Sequence, residues 1–125
     1  MELNNITGTK NTPSLKVLAN DKIVIVGRSY PEDVSLFFNP VIDYIKQVKC
    51  DTFSMDIFLD YFNTASSKKL LEMFNGAEAN RNINNVNIVW RYEVDDEDSL
   101  DMAETYEDQL EKCNFKYIEV AESAV

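Results

Sequence analysis

The chain has 125 residues, 45% of them hydrophobic, and carries 22 acidic against 12 basic side chains for a net charge of −10. That length fits one domain, 1–125, and three glycines and three prolines leave little scope for a loop-built or disordered chain. The negative charge opposes phosphate backbones and anionic lipid, so nucleic acid and membrane insertion are not expected.

The start, MELNNITG, has neither the basic end nor the apolar segment of a secretion signal, and the cytoplasm is the expected compartment. Within residues 1–11, Leu3 to Ile6 is a candidate extra edge strand. Leu15, Val17 and Ala19 then alternate with polar residues. Asn20-Asp21 tolerates positive φ, which predicts a tight hairpin into KIVIVG. The run Ile23–Val26 is unbroken and is expected to be covered on both faces. It is far too short to span a bilayer.

In the next segment Ser29 and Glu32 have capping-box spacing, with Pro31 in the first turn. Val34, Phe37, Phe38, Val41, Ile45 and Val48 form an apolar stripe that stays in phase across Pro40, predicting one kinked helix or two abutting ones. From Thr52 to Tyr61 the chain alternates as a strand, with Phe53, Met55, Ile57, Leu59 and Tyr61 on one face. SSKKLLEMFNGAEAN predicts a helix whose stripe is Ser67, Leu70, Leu71, Phe74 and Ala77, with Gly76 near its end. Val86, Ile88, Trp90 and Tyr92 mark another strand. The acidic run EVDDED leads into a helix marked by Leu100, Ala103 and Leu110, and FKYIEV closes the fold as a strand.

The element order is β-β-α-β-α-β-α-β, an α/β arrangement: a mixed sheet with a largely parallel centre packed with about three helices. Functional loops of such sheets gather at the carboxyl ends of the parallel strands. Here those loops begin at Arg28, Asp60 and Glu93.

The usual catalytic equipment is missing. Histidine, the commonest general base and transition-metal ligand, is absent. No glycine-rich phosphate loop or G-x-S-x-G elbow occurs, and Cys50 and Cys113 lack C-x-x-C spacing, which suits reduced, buried thiols. The acidic run at 93–98 lacks the glycine and spacing of an EF-hand, and acids favour a helix N-terminus anyway. No cofactor, no metal and no enzymatic activity are expected. The rival reading is a small acidic metal-dependent hydrolase, which requires Asp56, Asp60 and the acidic loop to converge.

After Asn63, three hydroxyls fall within four residues: Thr64, Ser66 and Ser67. Asn63 or Thr64 caps the coming helix, and Ser66 or Ser67 bonds back to its first turn; alternatively, one hydroxyl is a modification site. Four separated motifs bear on this choice: GRSYPE at 27–32, FFNPV at 37–41, LDYFNTASSK at 59–68 and W-x-Y-x-x-D-D-E-D at 90–98. Together they resemble the SiaC family of bacterial regulatory phosphoproteins, from about residue 12 to the C-terminus. The resemblance implies a fold like the STAS domains and anti-sigma-factor antagonists, and a non-enzymatic partner-switching role. It implies a Ser/Thr protein kinase that phosphorylates a threonine matching Thr64, and a PP2C-like phosphatase that reverses this. The unmodified form then engages a target, in the family a diguanylate cyclase of the c-di-GMP system controlling biofilm. Ala65 stands where the family more often has serine.

On this reading the partner-contact candidates are Arg28, Ser29, Tyr30, Asp60, Tyr61, Asn63, Ser66, Ser67 and Lys68. Tyr30 and Tyr61 suit interface anchors, with partial core packing as the alternative. Arg28 either pairs with a neighbouring carboxylate or serves the phosphate or an acidic partner. A third possibility is a constitutive scaffold in which Thr64 is only a cap.

Overall fold

Alternation and helical stripes sort the chain into eight elements in the computed structural model, which describes residues 2–30 and 33–121. They are β1 (Ser14–Ala19), β2 (Lys22–Ser29), α1 (Val34–Gln47), β3 (Cys50–Phe62), α2 (Thr64–Ala79), β4 (Ile83–Glu93), α3 (Glu97–Asp108) and β5 (Cys113–Val120). The expected order is the observed one. The strands form one sheet in the order β1-β2-β3-β4-β5. β1 runs antiparallel to β2 through the Asn20-Asp21 hairpin, and all other neighbours are parallel.

Each parallel pair is joined by a helix, and right-handed crossovers stepping in one direction place all three helices on the same face. Ile23, Ile25, Met55, Ile57, Ile88 and Trp90 point into that layer and are fully buried. The other face has no helix over it. Its central row, in register across the sheet, is Lys16–Val24–Asp56–Val89–Lys116. Val24 is half-buried and Val26 is 41% exposed, so the Ile23–Val26 run is covered on one face rather than two. An apolar run records burial of alternate residues but not whether the second face is closed.

Three local departures shape the functional edge. First, α1 is one helix through Pro40, which sits on its exposed side where water can serve the carbonyl left free. Its N-cap is Asp33, whose carboxylate accepts the Ser35 amide at 2.9 Å. Ser29 is therefore no cap; it ends β2 and is buried, while Pro31 and Glu32 of the expected capping box lie outside the described residues.

Second, the β2–β3 register shifts between Gly27↔Leu59 and Arg28↔Tyr61, leaving Asp60 as an extra residue. Such a bulge reverses the parity of the residues beyond it. Tyr61 is consequently 48% exposed instead of sharing the core face with Leu59. Phe62 turns inward and meets Trp90 edge-on at 6.0 Å. Gly27 occupies the shift with φ +132°, and a Cβ there would meet the Pro13 Cα at 3.2 Å, so a side chain would strain the backbone.

Third, the buried stripe of α2 is rotated from the expected one. Ser66, Leu70, Met73, Phe74, Gly76 and Ala77 are buried, whereas Ser67 and Leu71 are half-buried. In α3 the buried set is Ser99, Ala103 and Tyr106, with Leu100 half-buried. Residues 3–6 form no strand: Ile6 exchanges two 2.9 Å backbone hydrogen bonds with Leu15, an isolated bridge. The Asn5 side chain also accepts the Val17 amide at 2.7 Å.

Candidate functional site

The site is built where β2 and β3 end and α2 begins. Asn63 holds extended backbone angles and its side-chain oxygen accepts the Ser66 amide at 2.8 Å, which makes it the N-cap. Its own amide donates to the Ser29 carbonyl at 3.1 Å, tying the helix start to the end of β2.

The three hydroxyls have three different fates. Ser66 is fully buried and donates its proton to the Ser29 carbonyl at 2.8 Å. Its oxygen lies 2.7 Å from the equally buried Ser29 hydroxyl, which must then be the donor of that second bond. Ser67 is half-buried, with its hydroxyl 2.7 Å from the Tyr106 phenol; that phenol donates to the Ser67 carbonyl at 2.9 Å. Burial pushes the Tyr106 phenol up to about 12, so it stays a protonated donor at any ordinary pH. Ser29 and Ser66 are thus not surface contacts, and the Ser67 hydroxyl is spent inside the molecule, clamping α2 to α3. Their sequence spacing looks like surface capping; their partners lie 37 and 39 residues away.

Thr64 alone of the three faces solvent, as the first residue of α2. At that position neither its amide nor that of Ala65 has an acceptor within the helix. The first turn of α2 contains no acidic residue. The positive end of the helix dipole therefore meets no carboxylate of the helix's own first turn.

Around Thr64 the other candidates are mostly exposed. Arg28 pairs with Asp60 at 3.7 Å across the bulge, which settles its partner as a carboxylate, and its guanidinium lies 5.6 Å from the centre of the Tyr30 ring. Both charged groups are half-exposed, so the pair adds little stability. Tyr30 and Tyr61 meet edge-to-face at 4.8 Å and form one aromatic unit at the strand ends. Lys68 is exposed one turn into α2.

A cleft of about 240 Å³ adjoins this unit, lined by Tyr61, Phe62, Met102 and Ser99 with Asp60, Asp96 and Asp98. Met102 and Ser99 carry no signal that sequence reasoning could use, although Asp96 and Asp98 belong to one of the four motifs. Ser99 is fixed there because its amide donates to the Asp96 cap at 3.1 Å and its hydroxyl accepts the Trp90 indole N–H at 3.0 Å.

The carboxylates needed for a hydrolase converge only in part: Asp60 shares the cleft with Asp96 and Asp98, but Asp56 is not among its lining residues. Asp56 is held by Arg91 through bonds of 2.9 and 3.0 Å on the helix-free face, and Asp60 pairs with Arg28. Among the described residues no three Cys, Asp or Glu side chains are grouped to hold a metal ion. Cys50 and Cys113 are free thiols, and burial pushes that of Cys113 up to about 12. No helix among the described residues is long and apolar enough to cross a membrane.

Comparison with known proteins gives concordant results. Residues 6–120 match the model of the SiaC family of regulatory phosphoproteins, a match that begins earlier than residue 12 and includes Ile6 of the isolated bridge. An uncharacterised protein of Pseudomonas aeruginosa strain UCBPP-PA14 is 28% identical over 117 residues, covering 90% of each chain. SiaC of Pseudomonas aeruginosa, in its crystal structure as the activator of the diguanylate cyclase SiaD, has a TM-score of 0.76 at 25% identity. That match covers 95% of this chain and 99% of that one. A structure of SiaC from the same organism superposes with a TM-score of 0.76 at 24% identity, over 98% of this chain and all of that one.

Proposed function

The chain belongs to the SiaC family of regulatory phosphoproteins, and from that membership we propose that it is a non-enzymatic partner-switching regulator controlled by reversible phosphorylation of Thr64. The whole chain acts as one regulatory domain in the cytoplasm. A Ser/Thr kinase adds the phosphate and a PP2C-like phosphatase removes it. The unmodified form binds its target, a diguanylate cyclase by analogy with the SiaC–SiaD complex.

The observation that carries this reading is the contrast within the hydroxyl cluster: Ser66 and Ser67 are committed to internal hydrogen bonds while Thr64 is exposed at the first residue of α2. A phosphate there brings about −1.5 to −2 charges and three acceptor oxygens. The unfilled helix end favours that charge by ~0.3–1 kcal/mol, so the fold tolerates it. A partner seated over Tyr30, Tyr61 and Lys68 faces the opposite balance, because burying an unpaired charge costs several kcal/mol, of order 3–5. Since ~1.4 kcal/mol is a tenfold change in affinity, the modification suffices as a switch.

The test is the intact mass of the protein isolated from its native cells, with fragment spectra to place the modification. The expected result is a fraction heavier by about 80 Da, the mass of a phosphoryl group on Thr64, that collapses on phosphatase treatment. An unmodified population under all growth conditions would leave a constitutive scaffold in its place.

A further inference from the structure

We propose that the helix-free face of the sheet is a second docking surface, and that its occupant is an acidic amphipathic helix of a partner protein. The Thr64 switch meets this face only at its edge, through Tyr61, and uses none of its lysines or valines.

Its charge is opposite to that of the whole chain. The three rows in register across its centre carry Lys16, Lys22, Arg91 and Lys116 against a single carboxylate, Asp56, whereas the chain overall is at −10. The next acid in register, Glu93, lies one row beyond. Arg91 already neutralises Asp56 with a two-pronged bond, so the three lysines are left without a carboxylate within 4 Å among the described residues. Between these cations Val24, Val26, Phe58, Val89 and Ile118 present a continuous apolar band that is only partly buried. A shallow depression of about 370 Å³, lined by Lys22, Ser54, Asp56, Asn87, Val89 and Lys116 among others, sits in its middle.

An open sheet face is completed by a helix packed against it. The helix that fits here needs an apolar stripe for the valines and Phe58, flanked by carboxylates that meet the lysines. The chain's own acidic helix is no substitute: the exposed side of α3 is Asp101, Glu104, Thr105 and Asp108, with no apolar side chain to cover Val26. Extended polyanions such as RNA or an anionic bilayer meet the field of the remaining acids around the patch, which disfavours them.

The experiment is a titration of the isotope-labelled full chain, followed by amide NMR shifts, with two helical peptides that share a leucine stripe and differ only in flanking Glu or Lys. The expected result is saturable binding of the Glu peptide alone, with shifts centred on Val24, Asp56, Val89 and Lys116 and none around Thr64. Its affinity falls as salt is raised, and drops roughly tenfold or more in the double variant Lys22→Glu, Lys116→Glu. Both substituted side chains are exposed, and far-UV circular dichroism verifies that the variant is folded. Failure of the Glu peptide to saturate, equal binding of the Lys peptide, or shifts clustered around Thr64 overturns the proposal. So does displacement of the Glu peptide by RNA or by anionic vesicles.

Discussion

The first turns of α2 and α3 are built on one plan and differ in charge. Each helix follows a parallel strand. Each is capped by a side chain that accepts the amide of a serine three residues on, Asn63 for Ser66 at 2.8 Å and Asp96 for Ser99 at 3.1 Å. Each of those serines is buried and fastens its helix to a strand, Ser66 to Ser29 of the neighbouring β2 and Ser99 to Trp90 of β4, the strand that α3 follows. In α3 the turn reads Asp96-Glu97-Asp98, so the positive helix end is filled by the chain's own carboxylates. In α2 it reads Asn63-Thr64-Ala65 and no acid is present. One helix end has a permanent charge; the other has an exposed hydroxyl, the proposed site of a reversible one.

The comparison can be broken at several points. The largest effect is expected from the shared serines: Ser66→Val and Ser99→Val each strand a buried hydrogen-bonding group and lower stability by about 1–3 kcal/mol in urea denaturation. A neutral Ser66→Val would contradict its internal role. Removing the caps, Asn63→Ala and Asp96→Ala, should cost about 1 kcal/mol each. The charge difference itself predicts opposite signs. Thr64→Asp should stabilise by ~0.3–1 kcal/mol at low salt and Asp98→Asn should destabilise by a similar amount. Both effects should shrink as ionic strength rises. Last, Thr64→Ala should leave stability unchanged within about 0.5 kcal/mol, since its hydroxyl supports nothing internal.

Element order and sheet direction were legible because each strand and helix has a clear period, and because crossover handedness leaves few ways to arrange them. The site was legible only in part. Thr64 stood out through its place in a motif. Its neighbours did not separate, because the bonds that bury Ser29, Ser66 and Ser67 connect residues remote in sequence. Tyr61 left the face expected to hold it with Leu59 because of one extra residue at Asp60, and a bulge has no periodic signal. The capping box at Ser29 was a local pattern overruled by tertiary context: the hydroxyl found a better partner in Ser66 and the helix is capped later, by Asp33.

The most direct measurement is calorimetric titration of the proposed diguanylate cyclase target with unmodified and with Thr64-phosphorylated protein, both checked by far-UV circular dichroism. Identical spectra with an affinity at least tenfold weaker for the phosphorylated form is the predicted outcome. Equal affinities, or a phosphorylated form that has lost helix, would contradict it.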